Sequence, residues 1–241
     1  MNTPTVKATK AVPRVWLDPI PSDLREWACE QLESGDVLGF LCKAQNEYGL
    51  HLVAYNCRLL MDRGLYEKAL LHAYTATRTN NRHWSELDLQ DLFLLAQRDR
   101  MLAAGDPLPA PGPYTLYRGV AGRGRARRIQ GYSWTASKKE AQWFATRFDL
   151  PDPAVFRTVV DSDDVFAYCN DRQEQEFVLF RKPEFVHFPK RTPFKVTRVW
   201  PAKGENVAQT KMQLDKAREE AAALRAKMLR VGWQMMTCGQ R

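Results

Sequence analysis

The sequence predicts an α+β protein. Three observations carry that prediction. Residues before 106 are patterned almost wholly as helices, prolines then recur at alternate positions (Pro107, Pro109, Pro111 and Pro113), and short runs rich in β-branched and aromatic residues follow. At 241 residues, 44% of them apolar, the chain is long enough for a sizeable core, and its composition excludes disordered and fibrous classes. No apolar run reaches the roughly 20 residues that a membrane helix needs, and Met1 to Lys10 lacks the apolar stretch of a secretory signal. A cytoplasmic protein with no membrane partner is the expectation.

Residues 1–21, with Pro4, Pro13, Pro19 and Pro21, read as a flexible tail. Ser22 is a good N-cap followed by Asp23 and Glu26, and it opens a helical part spanning 22–105. Helical patterning continues through Leu38–Met61 and Leu65–Thr77, then from Ser85 to Ala104, where Gly105 supplies the stop. The prolines of 106–113 lack amide donors, so this stretch reads as a stiff extended connector. A β-rich core over 114–201 follows, with strands expected at Tyr114–Val120, Val155–Val160, Val165–Tyr168, Glu176–Phe180, Phe185–Phe188 and Phe194–Trp200. One helix interrupts them. Ser137 and Glu140 form a capping-box pattern ahead of the apolar positions Ala141, Phe144, Ala145 and Phe148. Residues 202–241 read as a C-terminal helix and tail. Leu214, Ala217, Ala221, Leu224, Met228 and Val231 alternate there in steps of three and four, a heptad-like seam weakened by alanine. Such a seam packs on its own domain or docks a partner protein.

The net charge of +8 is unevenly placed. Residues 1–105 hold 12 Lys/Arg and 13 Asp/Glu, net −1, whereas residues 106–241 hold 24 and 15, net +9. A positive field in the second part favours a polyanion or a phosphate-bearing ligand, or serves solubility alone. Cys29, Cys42, Cys57, Cys169 and Cys238 are odd in number and form no C-x-x-C pair, which points to a reducing compartment. His51, His72, His83 and His187 show no ligand spacing, so no metal is expected.

Three short elements in the β-rich part form a set. Tyr117-Arg118-Gly119 ends the strand after the connector. Ser133-Trp134-Thr135-Ala136-Ser137 is a strand end running into the capped helix. Glu174-Gln175-Glu176 opens the strand Phe177–Phe180. Each alone has a bland reading: an ion-paired strand arginine, a helix cap, and two glutamates two residues apart on a solvated strand face. Together, in this order, they resemble the mono-ADP-ribosyltransferases of the arginine–serine–glutamate class, the group related to cholera toxin. The resemblance covers roughly residues 113–200 and extends to the helix beginning Lys138-Lys139-Glu140. This chain departs from the pattern in having Trp134 at the centre of the serine motif and only 15 positions between Arg118 and Ser133.

The resemblance implies a split antiparallel or mixed β core around an NAD cleft, with helices on its N-terminal side. It also implies transfer of ADP-ribose from NAD, as substrate, to a macromolecule with release of nicotinamide. Glu176 becomes the catalytic glutamate, Glu174 orients the acceptor, Arg118 binds phosphate or ribose, and Ser133 anchors the ribose or orients the carboxylate. Gly119 lets the main chain approach nicotinamide, Thr135 supports its strand, and Tyr132 and Trp134 flank the ring or pack in the core. Tyr168 and Arg172, in the segment before the glutamates with Phe166 and Asn170, are candidates for acceptor contact. Arg123, Arg125, Arg127 and Arg128 offer pyrophosphate capture, a nucleic-acid contact or a solvated turn. Protein arginine and RNA or DNA remain open as acceptors. A toxin, effector or phage-defence enzyme fits this set, and such a toxin needs a neutralising partner, for which the C-terminal helix is one dock. The alternatives are a catalytically silent nucleic-acid-binding module of the same fold, and an NAD glycohydrolase.

Overall fold

The computed structural model describes residues 15–44, 48–76, 84–124, 127–170, 174–180 and 194–238. The chain divides into two units, Met1–Gly105 and Asp106–Arg241. Among the described residues no helix is long and apolar enough to cross a membrane.

The first unit is helical. A 3-10 turn at Ser22–Leu24 leads into α1 (Arg25–Glu33), followed by α2 (Val37–Cys42), α3 (Gly49–Tyr55), α4 (Cys57–Asp62), α5 (Tyr66–Ala76), α6 (Glu86–Leu95) and α7 (Arg98–Ala104). Two stretches that pattern as single long helices are broken. At Asn56 the buried side-chain amide donates to the Leu52 carbonyl at 2.9 Å, competing with the helical ladder. The same side chain exchanges two hydrogen bonds with the main chain of Trp16, at 2.8 and 2.9 Å. Residues 15–21 are therefore not a tail: Trp16 is pinned to Asn56, and Ile20 is only 1% exposed. The second break falls at Ala96 and Gln97, which are extended (ψ 144 and 126). There the Gln97 N–H turns away from the helix to donate to the buried Glu67 carboxylate at 3.0 Å.

Tyr66 sits at the centre of this unit, fully buried, and donates its hydroxyl to the Leu92 carbonyl at 2.9 Å. Its phenol is pushed above the ordinary value of 10.0 by burial first, then by Cys57 and Glu67. Above that ordinary value the unfolded chain gives up this proton while the folded chain keeps it. This group thus leaves stability untouched below about pH 10 and lowers it as pH rises beyond that. Urea midpoints at about pH 9 and about pH 11 should show this loss, and Tyr66→Phe should reduce it.

The second unit holds one six-stranded sheet: β1 (Tyr114–Val120), β2 (Ser133–Thr135), β3 (Ala154–Val160), β4 (Val165–Cys169), β5 (Glu176–Leu179) and β6 (Thr197–Trp200). Their order is β4-β5-β2-β1-β3-β6, and every neighbouring pair is antiparallel. The α+β class is thus observed, as one continuous sheet among the described residues. The strand expected at Phe185–Phe188 lies outside those residues. The last strand begins at Thr197 instead of Phe194, whose main chain is taken by the Gln130 side-chain amide.

Helix α8 (Lys138–Thr146) packs on the sheet, and α9 (Val207–Cys238) follows it in chain order. The face of α8 turned to the sheet is Ala141 and Ala145, both buried against Val155 and Trp200. Phe148 does not join it and is 56% exposed. The reason lies opposite. A Cβ built on Gly119 would fall 1.8 Å from the Ala141 carbonyl oxygen and 2.7 Å from the Ala145 nitrogen, so the helix backbone lies directly on the strand. Only alanine-sized side chains fit at that distance. Phe144 and Phe148 instead flank the Arg147 guanidinium, at 4.7 and 4.4 Å.

Candidate functional site

The sheet order sets β1, β2 and β5 side by side, so the three motif elements are neighbours in space. β2 is fixed by its register: Tyr117 faces Thr135 on one side, while Ser133, Trp134 and Thr135 face Val178, Phe177 and Glu176 on the other.

Arg118 is only 7% exposed. Its Nε donates to the Arg128 carbonyl at 2.9 Å, and its Nη1 donates to the Ser133 carbonyl. These are charge-assisted bonds to main chain, among the stronger hydrogen bonds a protein makes. Arg118 therefore holds the loop and the start of β2 in place, which is a different task from the phosphate fork expected of it. Ser133 turns its Oγ toward β5 and donates to Glu176 Oε1 at 2.5 Å. Both side chains are half-buried, so solvent reaches them. Thr135, buried, donates to the Glu174 carbonyl at 2.6 Å and accepts from the Ser137 N–H at 3.1 Å. Its donor thus serves the chain and not a ligand. Ser137 in turn caps α8 by accepting from the Glu140 N–H at 3.2 Å, while the Glu140 carboxylate pairs with Arg218. Only half of the expected capping box is present.

Several expected roles are corrected. Tyr132 is buried, with its ring 5.5 Å from Phe180, and Trp134 is buried, with its indole N–H donating to the Gly131 carbonyl at 2.8 Å. Both are core residues. Tyr168 is buried 4.7 Å from the Phe177 ring and offers no exposed surface to an acceptor. Burial above all, then Asp106 and Cys169, raises its phenol above the ordinary value. Phe166 packs on Phe180. The room at Gly119 is filled by α8, so this glycine serves packing and not a ligand's approach. Glu174 precedes β5, and Gln175 between the glutamates has φ +47, so strand alternation does not place their side chains on one face. Arg127 donates to the Asp152 carbonyl and carboxylate at 2.7 and 2.5 Å, which commits it to the loop. Arg125 and Arg172 lie outside the described residues.

No family model, curated protein or solved structure matches this chain. The chemistry of the site therefore rests on its own atoms.

Two contributors do tasks that the sequence does not announce. A Cβ at Gly131 would fall 2.1 Å from Arg118 Nη2 and 2.4 Å from its Cζ, so the guanidinium lies flush on the Gly131 backbone. In sequence this residue is indistinguishable from any turn glycine. Asn170 accepts from the Gln175 N–H at 3.3 Å and donates its own N–H to Asp106 at 2.6 Å, tying the segment before the glutamates to the start of the unit. Gly131→Ala should displace Arg118 from its carbonyl partners and cost about 2 kcal/mol or more. A urea unfolding midpoint equal to that of the unaltered protein would refute this seating of Arg118.

Proposed function

We propose that the second unit is an ADP-ribosyltransferase of the arginine–serine–glutamate type, acting on NAD. One observation carries this reading. Arg118, Ser133 and Glu176 come from separate sequence motifs on the adjacent strands β1, β2 and β5, and hydrogen bonds join them in series. A solvated strand face gives no reason for a half-buried serine to hold a glutamate while a buried arginine holds that serine's own carbonyl.

The reaction breaks the bond between ribose C1′ and the nicotinamide nitrogen. Nicotinamide leaves with the bonding electron pair, and positive charge grows on the ribose as in glycoside hydrolysis. An ionised carboxylate beside that carbon stabilises the charge, and Glu176 is the group placed for it. Ser133 fixes the carboxylate's orientation, which lowers the cost of arranging it as the charge develops. The acceptor's nucleophile then bonds to C1′ and gives up its proton, for which Glu174 is the nearest carboxylate in sequence. The fit to NAD rests on Ser133 and Glu176, the half-buried pair, with Arg118 as a positioning residue.

The deciding experiment is incubation with NAD labelled in its adenylate part, alongside separate pools of protein, RNA and DNA. Label retained on one pool names the acceptor. Nicotinamide release with no labelled pool favours the glycohydrolase alternative, and no turnover at all removes the enzyme reading.

A further inference from the structure

Gln175 stands between the two glutamates with φ +47, in the left-handed region that residues other than glycine rarely enter. Gln175 is exposed, so side-chain packing does not hold it there. The hydrogen bonds of its main chain do. The peptide joining Glu174 to Gln175 is tied on both sides. Its oxygen accepts from the buried Thr135 Oγ1 at 2.6 Å, and its N–H donates to Asn170 Oδ1 at 3.3 Å. The next peptide is tied as well, because the Gln175 carbonyl accepts from the Ala136 N–H at 3.3 Å. The angle φ of Gln175 relates these two peptide planes, so holding both planes sets it. The holders are themselves anchored. Thr135 accepts from the Ser137 N–H at the start of α8, and the Asn170 N–H is bonded to Asp106. Glu176, one residue on, is set by the sheet, facing Thr135 on β2 and Cys169 on β4. A strained residue persists only where its surroundings over-determine it, and such residues gather at functional sites.

We propose that this left-handed turn is a positioning device for the acceptor half of the reaction, with Thr135 and Asn170 as its positioning residues. The inference rests on the ADP-ribosyltransferase reading. In an unbroken strand, residues two apart point to the same face, and Glu174 would lie beside Glu176. Two carboxylates side by side disfavour each other's ionised form and compete for one task. The turn at Gln175 breaks the alternation and separates two tasks. Glu176 stabilises the cationic ribose as nicotinamide leaves with the bonding electron pair. Glu174, on its own heading, takes the proton from the acceptor's nucleophile as that nucleophile bonds to C1′.

Two substitutions at one position test this, because they change the freedom of the backbone in opposite directions. Glycine enters the left-handed region freely, whereas β-branched valine is strongly disfavoured there. NAD labelled in its adenylate part is incubated with separate pools of total cell protein, RNA and DNA, and nicotinamide release and retained label are followed together. Gln175→Gly should keep transfer within about threefold of the unaltered protein, although it removes the whole side chain. Gln175→Val should lower transfer by about tenfold or more while nicotinamide release stays within about threefold. Asn170→Ala frees the Gln175 N–H without adding a clash. It should show the same split, and it carries the test if the valine variant does not fold. Equal loss of transfer in the glycine and valine variants would assign the role to the glutamine side chain and overturn the proposal. Transfer retained in both Gln175→Val and Asn170→Ala, or release falling in step with transfer, overturns it too. Release by the unaltered protein with no labelled pool removes the acceptor step, and the proposal with it, but leaves NAD cleavage standing. No release at all sinks the ADP-ribosyltransferase reading itself.

Discussion

Glu176→Gln should lower nicotinamide release from NAD by roughly a thousandfold or more while leaving the unfolding transition within about 0.5 kcal/mol of the unaltered protein. The glutamine keeps the shape of the side chain and an oxygen that still accepts from Ser133 Oγ, which now sits 2.5 Å from Glu176 Oε1. What it removes is the negative charge. If charge stabilisation of a cationic ribose is the task of this residue, activity disappears and structure does not. Glu174→Gln is the informative companion. Its expected signature is loss of transfer to the acceptor with some hydrolysis of NAD retained, because water can take the acceptor's place. Equal loss of both activities would assign Glu174 to bond cleavage instead.

Gly119→Ala should be the most damaging single methyl in the second unit. Alanine ordinarily improves on glycine inside a strand by about 0.5–1 kcal/mol. Here the added carbon would lie 1.8 Å from the Ala141 carbonyl oxygen, and that atom belongs to helix backbone that cannot rotate aside. The helix must lift from the sheet, which opens the cluster of Ala141, Ala145, Val155 and Trp200. A loss of about 3 kcal/mol or more is expected, seen as a fall in unfolding temperature of roughly 10 °C. The measurement also separates two roles. Unchanged stability with lost NAD turnover would return Gly119 to the ligand-approach role that the family resemblance implies.

Much of the second unit's backbone is legible in the sequence because its signals are local. Alternation and β-branching mark β1 and β3, and Ser137 marks the start of α8. The breaks in the first unit are not local. They depend on Asn56 reaching Trp16 and Gln97 reaching Glu67, contacts between residues 40 and 30 positions apart. The same holds within the site. The three motifs identify Arg118, Ser133 and Glu176, but residue type does not tell a phosphate-binding arginine from one that grips main-chain carbonyls. Trp134 and Tyr132 are hidden for a related reason, since a large aromatic suits a ligand wall and a core equally well. Charge was legible in amount but not in use. Arg127 and Arg198 share Asp152, Lys211 takes Asp149 and Arg218 takes Glu140, so part of the basic excess is already matched within the unit.

The shortest strand of the sheet also lies near its middle. β2 has three residues, yet it is the strand joining the β4–β5 ladder to the β1–β3–β6 ladder. β1 meets β3 along its whole length but meets β2 at Tyr117 and Thr135. The sheet is therefore two well-knit panels sharing a narrow hinge line. Arg118 belongs to one panel and Glu176 to the other, and Ser133 is the stitch between them. Any small molecule that grips both panels at once acts as a staple across this line. Its binding strength is then tied to the rigidity of the sheet itself, and a change that loosens the hinge weakens binding even where it touches no ligand.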